Sequence, residues 1–155
     1  MKRLVDLPCV RFGDLNDIEQ RAILAATSIR HMAYSPYFKY KVGVAVVSVT
    51  DKIYTGVNVE NCAAVVPHAE WNALSEMVKN GERQFKVLVC VAQNGGIPCS
   101  ICRQFMREFS GDNLEEVVVI GVGQQGGDII RCAFADIIGV DSFSPRSLGV
   151  NPLEH

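Results

Sequence analysis

The sequence predicts a single mixed α/β domain: a sheet of about five strands, partly parallel and partly antiparallel, with helices on its faces. Three observations carry this. The chain has 155 residues and is 48% hydrophobic, which suits one domain with an ample core. Strand-like apolar runs alternate with segments whose apolar residues recur every three or four positions, in the order α-β-β-α-β-α-β-β. The β-α-β-α-β portion needs crossover connections, which bring parallel strands. The first two strands are parted only by Asp51-Lys52 and so form an antiparallel hairpin.

The elements follow in order. Residues 1–13 carry no clear pattern, and Pro8 and Gly13 interrupt any regular element. A first helix begins near Asp14 or Asn16, either a suitable cap, and runs to about Ala33 with Leu15, Ile18, Ala22, Ala25, Ile29 and Met32 as its apolar stripe. Pro36 ends it. Residues 34–40 hold three tyrosines and a phenylalanine, which serve either as anchors on the core or as the wall of a pocket for a planar ring. Strands follow over 42–49 and 53–59, the second closing in the polar run Asn58-Val59-Glu60-Asn61. Pro67 suits the first turn of a helix that reaches Lys79 and stops at Gly81. A buried strand spans 85–92, a turn 94–96, a short helix 99–109 and another strand 114–120. A Gly-rich loop over 124–128 leads to a short strand at 129–132, and turns or weak helix over 136–139 and 143–148 finish the domain. Leu153-Glu154-His155 look like the start of a purification tag, which leaves 1–150 as the domain.

Charge and composition narrow the function. The formal net charge is −2, and no basic run exceeds Lys2-Arg3, which argues against nucleic acid as a partner. No apolar stretch reaches 18 residues and the N-terminus lacks an apolar signal core, so neither a membrane span nor export is expected and the cytoplasm is the expected compartment. In that setting Cys9, Cys62, Cys90 and Cys132 are expected as thiols, most of them buried.

Two short stretches carry chemistry: His68-Ala69-Glu70 and, about thirty residues on, Pro98-Cys99-Ser100-Ile101-Cys102. One imidazole and two thiolates balance the charge of Zn²⁺ and leave a coordination position open for water, whose pKa the metal lowers toward neutrality. Each donor lies at a predicted helix start, where unpaired amides and the helix dipole favour thiolates. Glu70 does not share a helix face with His68, so it is placed as a proton carrier beside the metal rather than as a fourth ligand. Taken singly, His68 is an ordinary helix-start histidine, and Cys99/Cys102 are a redox pair or half of a structural Cys₄ site completed by Cys62, Cys90 or Cys132. Neither a redox pair nor a structural site has a use for Glu70. H-x-E followed by P-C-x-x-C is the pattern of zinc deaminases acting on nucleobases.

From about Ala33 to Phe143 the chain resembles the cytidine deaminase family. The likeness rests on the aromatic loop 34–40 with Val42-Gly43-Val44-Ala45, on Gly56-Val57-Asn58-Val59-Glu60-Asn61, on His68-Ala69-Glu70 and on Pro98-Cys99-Ser100-Ile101-Cys102-Arg103-Gln104. The resemblance implies a three-layer α/β fold and one zinc ion per subunit held by His68, Cys99 and Cys102. Glu70 is then the proton shuttle that also contacts ring N3. Asn58 and Glu60 bind the ribose hydroxyls, the Ala69 amide meets the ring carbonyl, Tyr40 stands near the nucleoside, and Phe143 packs on the base from a neighbouring subunit. The implied reaction is hydrolytic deamination of cytidine and deoxycytidine in pyrimidine salvage, by a homotetramer or, as the alternative, a homodimer. Four features depart from the small single-domain members. His68 stands for a cysteine, and Trp71 for an arginine beside the thiolates. Residues 62–67 are about one residue short and more apolar, and Ser100-Ile101 replaces Gly-Ala. They raise a second candidate substrate: isocytidine, an N4-modified cytidine or a blasticidin-type antibiotic.

Overall fold

The computed structural model describes residues 7–123, 129–139 and 151–154. Six strands form one sheet: β1 (Cys9–Val10), β2 (Gly43–Ser48), β3 (Ile53–Val57), β4 (Phe85–Ala92), β5 (Val118–Gly123) and β6 (Ile129–Ala133), in the order β1-β6-β5-β4-β2-β3. The sixth strand, beyond the five expected, is β1. Its two residues pair antiparallel with Ile129 and Ile130, and the Pro8 carbonyl accepts from the Arg131 amide. A two-residue strand after a proline leaves no period in the sequence.

The helices are α1 (Asp17–Ile29), α2 (Ala69–Lys79), α3 (Ser100–Glu108) and the single turn α4 (Ala135–Ile138). Only β4 and β5 are parallel neighbours, with α3 in the crossover between them. β2 runs antiparallel to both β3 and β4, so β3 and β4 point the same way although β2 lies between them. The expected parallel direction of β3, β4 and β5 holds, but the hairpin inserts its first strand into the middle of the sheet. At the hairpin turn Asp51 takes a left-handed φ of 67°, which aspartate tolerates better than most residues.

Side-chain alternation gives three layers. From β2 and β4, Val44, Val46, Leu88 and Cys90 face α2 and α3, against Ala73, Leu74, Met77 and Met106. Ala45, Val47, Val87, Val89 and Val91 face α1, against Ala22, Ile23 and Ala26. Because both faces are covered, β2 and β4 read as unbroken apolar runs rather than as alternating ones. Leu74, Met77 and Leu88 are fully buried, and each contributes about 1.5–3 kcal/mol of hydrophobic stabilisation.

Asn16 caps α1: its side chain accepts from the Glu19 amide at 3.0 Å, and Glu19 accepts from the Asn16 amide at 3.3 Å. The buried stripe is rotated from the one expected. It runs through Leu15, Glu19, Ala22, Ile23 and Ala26, while Ala25 and Ile29 sit at its margin and Met32 is exposed. A buried carboxylate displaced the stripe: Glu19 accepts two hydrogen bonds from the Arg131 guanidinium on β6, at 2.8 and 3.2 Å. The strand expected at 114–120 begins only at Val118, because Glu115 and Glu116 stay exposed in a turn and the Leu114 carbonyl accepts from the Ala135 amide. The segments 124–128 and 143–148 lie outside the described residues.

The layer that carries the site depends on Gly56. A Cβ there would lie 2.3 Å from the Ala73 nitrogen and 2.5 Å from the Ala69 carbonyl, so only glycine lets α2 lie directly on β3.

Candidate metal centre and substrate pocket

The start of α2 and the start of α3 meet at the C-terminal end of β4. His68 is the residue capping α2, one position before the helical residues rather than in the first turn, with extended backbone at φ −73°, ψ 154°. Cys99 occupies the same position on α3, and Cys102 lies in that helix's first turn. The segment before His68 is tied to the strand end by the Val59 amide, which donates to the Pro67 carbonyl. His68 turns Nδ1 toward both sulfurs, 3.2 Å from Cys102 and 3.6 Å from Cys99. The three donor atoms all lie within 4.8 Å of one another, a spacing that fits one cation.

Among the described residues this is the one such group, and it has three donors. Cys90 lies nearby in β4 but outside it, Cys62 is exposed, and the Cys132 thiol donates to the Val119 carbonyl. All six cysteines are free; of the four expected as thiols, Cys90 and Cys132 are buried, whereas Cys9 and Cys62 are exposed.

Glu70 follows in the first turn of α2, buried, with its carboxyl in the same cavity. Burial pushes that carboxyl above its usual range, partly offset by its own backbone amide, the Cys102 thiol and His68. The Cys102 thiol is also pushed up, first by burial, then by Glu70 and Cys99. Burial beside a carboxylate opposes the pull of the helix starts on this thiol, and a bound cation would favour its thiolate.

The cavity beside these groups measures about 420 Å³, a size that holds a small organic molecule. Phe38, Tyr40, Asn58, Glu60, His68, Ala69, Glu70 and Cys99 all line it. Of the described residues proposed from sequence, only Cys102, which is fully buried, is not on its wall; Phe143 lies outside the described residues. In the aromatic loop Tyr34, Tyr37, Phe38 and Tyr40 are all exposed rather than packed as core anchors, and Phe38 and Tyr40 form part of the cavity wall.

Asn58 and Glu60 hold this loop in place. Asn58 Oδ1 accepts from the Val42 amide at 2.8 Å, and its Nδ2 donates to the Tyr40 carbonyl at 2.9 Å. Glu60 Oε2 accepts from the Tyr37 and Phe38 amides at 2.8 and 3.1 Å. That leaves Glu60 Oε1 and the second Asn58 amide hydrogen for a ligand.

Sequence reasoning missed Cys90, Gly95, Gly96 and Ile97 as lining residues. Cys90 read as plain core, because the alternation along β4 does not show that one position meets the pocket floor. Gly95 and Gly96 sit in the turn expected at 94–96 with φ of 70° and 121°, which suits glycine, but the sequence does not show that this turn borders the cavity.

Residues 17–121 match the model of the cytidine and deoxycytidylate deaminase zinc-binding region. The chain belongs to this family. A cytidine deaminase of Sporosarcina psychrophila is 38% identical over 101 residues, which cover 63% of this chain and 74% of that one. A probable cytidine deaminase of Dictyostelium discoideum is 35% identical over 94 residues, 58% of this chain and 64% of that one. Among solved structures, a cytidine deaminase from Burkholderia pseudomallei superposes with a TM-score of 0.73 at 30% identity, over 83% of this chain and all of that one.

The cytidine deaminase family implies zinc, and the donor set fits it. Two sulfurs and an imidazole nitrogen converge, the exposed Cys99 faces the cavity, and Glu70 stands beside the group without joining it.

Proposed function

We propose that this chain hydrolyses cytidine and deoxycytidine to uridine and deoxyuridine with release of ammonia. The observation that carries this is one buried carboxyl, Glu70, sharing a nucleoside-sized cavity with a three-donor group of catalytic rather than structural composition. His68 Nδ1 and the Cys99 and Cys102 sulfurs hold the zinc. When bound, the metal supplies water acidified enough to react near neutral pH.

The chain's own residues do the rest. The Ala69 amide, at the first position of α2, has no acceptor inside its helix and is placed to donate to the ring carbonyl. Glu60 Oε1 and the spare Asn58 amide hydrogen take the ribose hydroxyls, and Tyr40 and Phe38 flank the nucleoside. Glu70 removes a proton from water as the water oxygen bonds to C4 and passes it to ring N3. It then takes the second proton from the new C4 hydroxyl and gives it to the amine, which leaves as ammonia as the C4–N bond breaks and the C4 carbonyl forms. A carboxyl held above its usual range suits a group that must both take and give a proton.

The 1–150 domain acts on a small molecule in the cytoplasm, as a homotetramer, with a homodimer as the alternative. No described helix is long and apolar enough to cross a membrane. The relatives are named for cytidine, which places it ahead of isocytidine, N4-modified cytidine or a blasticidin-type substrate. An ultraviolet time course on those nucleosides, with released ammonia assayed in parallel, tests the assignment. Loss of the cytidine band with one ammonia per uridine is expected. Turnover of isocytidine or an N4-substituted cytidine without turnover of cytidine would overturn it.

A further inference from the structure

We infer that Trp71 is a positioning residue for the metal centre, holding the His68 ring by stacking where a hydrogen bond would ordinarily do so. Trp71 is three residues beyond His68, so the two side chains are neighbours along the start of α2. Their ring centroids lie 5.4 Å apart with planes 24° from parallel. Behind the indole, Phe105 of α3 packs at 5.6 Å, and Phe109 packs on Phe105 at 5.8 Å. A row of rings thus braces His68 from the helix that supplies both cysteines.

His68 commits Nδ1 to the sulfurs. A metal-binding histidine is usually fixed by a hydrogen bond from its second ring nitrogen. Among the described residues nothing bonds His68 Nε2, and the stacked indole is what restrains rotation of the ring. The indole Nε1 is itself buried without a hydrogen-bond partner among the described residues, and the neighbouring rings set its place. Trp71 lies outside the substrate cavity and borders a separate apolar groove with Ile101 and Phe105. It therefore acts through His68 and not on the nucleoside.

This inference rests on the zinc site proposed above, and its test separates the two. Zinc affinity is measured by chelator competition for the wild type, Trp71→Leu, Trp71→Phe and Phe105→Leu. The absorption spectra of the cobalt-substituted proteins and the KM for cytidine at saturating zinc are measured alongside. Trp71→Leu is expected to weaken zinc binding about tenfold, to shift the cobalt bands and to leave KM unchanged. Trp71→Phe should restore most of the affinity, and Phe105→Leu, which loosens the ring behind the indole without touching His68, should weaken binding less than Trp71→Leu does. Unchanged affinity and spectrum in Trp71→Leu, or a greater loss in Phe105→Leu than in Trp71→Leu, would overturn the role of Trp71 while leaving the zinc site standing. A wild-type chain that binds no zinc would remove both.

Discussion

At the residue scale the proposal divides labour between donors and proton carrier, and the two should separate by substitution. Glu70→Gln should retain zinc and lose about 10²–10⁴-fold in kcat, read by zinc content beside nucleoside turnover. Cys102→Ala should lose the metal itself. Zinc affinity should also depend steeply on pH. Burial, Glu70 and Cys99 push the Cys102 thiol up, so binding must displace its proton. Proton release on binding means that affinity rises with pH and falls as pH drops, by about tenfold per pH unit for each proton displaced. Chelator competition between pH 6 and 8 reads this slope, and a flat profile would show that Cys102 is already a thiolate in the free protein. Glu60→Gln should lower kcat/KM for ribonucleosides by about tenfold while zinc content holds, because it removes one charge-assisted bond. Most of these residues were legible in the sequence: H-x-E and P-C-x-x-C carry their chemistry in residue type and spacing. The raised Cys102 thiol was not, since a helix start argues one way and burial, visible only in three dimensions, argues the other. Nor was the part that Asn58 and Glu60 take in holding the aromatic loop, because backbone amides leave no mark in a sequence.

At the scale of elements the long strands and the three main helices were readable from periodicity, and two kinds of feature were not. Strand β1 is too short to have a period. The stripe of α1 was misplaced because Glu19, polar by type, is buried against Arg131. That pair makes a prediction. Arg131→Ala leaves a buried carboxylate without its cation and should destabilise the chain by about 2 kcal/mol in urea, less than for a fully buried pair because Arg131 reaches solvent, with kcat unchanged. Gly56→Ala should do more. The added methyl meets α2 backbone, and strain of about 1–3 kcal/mol would be relieved by moving the helix that carries Glu70, so both the unfolding midpoint and kcat should fall.

At the scale of the whole molecule, the sheet brings two helix starts to the end of β4, so that His68 and Cys99, thirty-one residues apart in the chain, share one cavity. Neither helix holds a complete site, and the order of the strands, with β2 inserted between β3 and β4, is what aligns them. That insertion was the least legible part of the fold, because strand order rests on contacts far apart in sequence. The central claim is that this convergence becomes a cytidine-deaminating centre when zinc fills it. The most direct test is the initial rate of uridine formation as zinc is returned stepwise to chelator-stripped protein. The rate should rise from near zero, in proportion to added metal, and level off at one zinc per chain, with Glu70→Gln taking up the same zinc and staying inactive. Full activity in the stripped protein, or one bound zinc per chain with no turnover of cytidine or deoxycytidine, would contradict it.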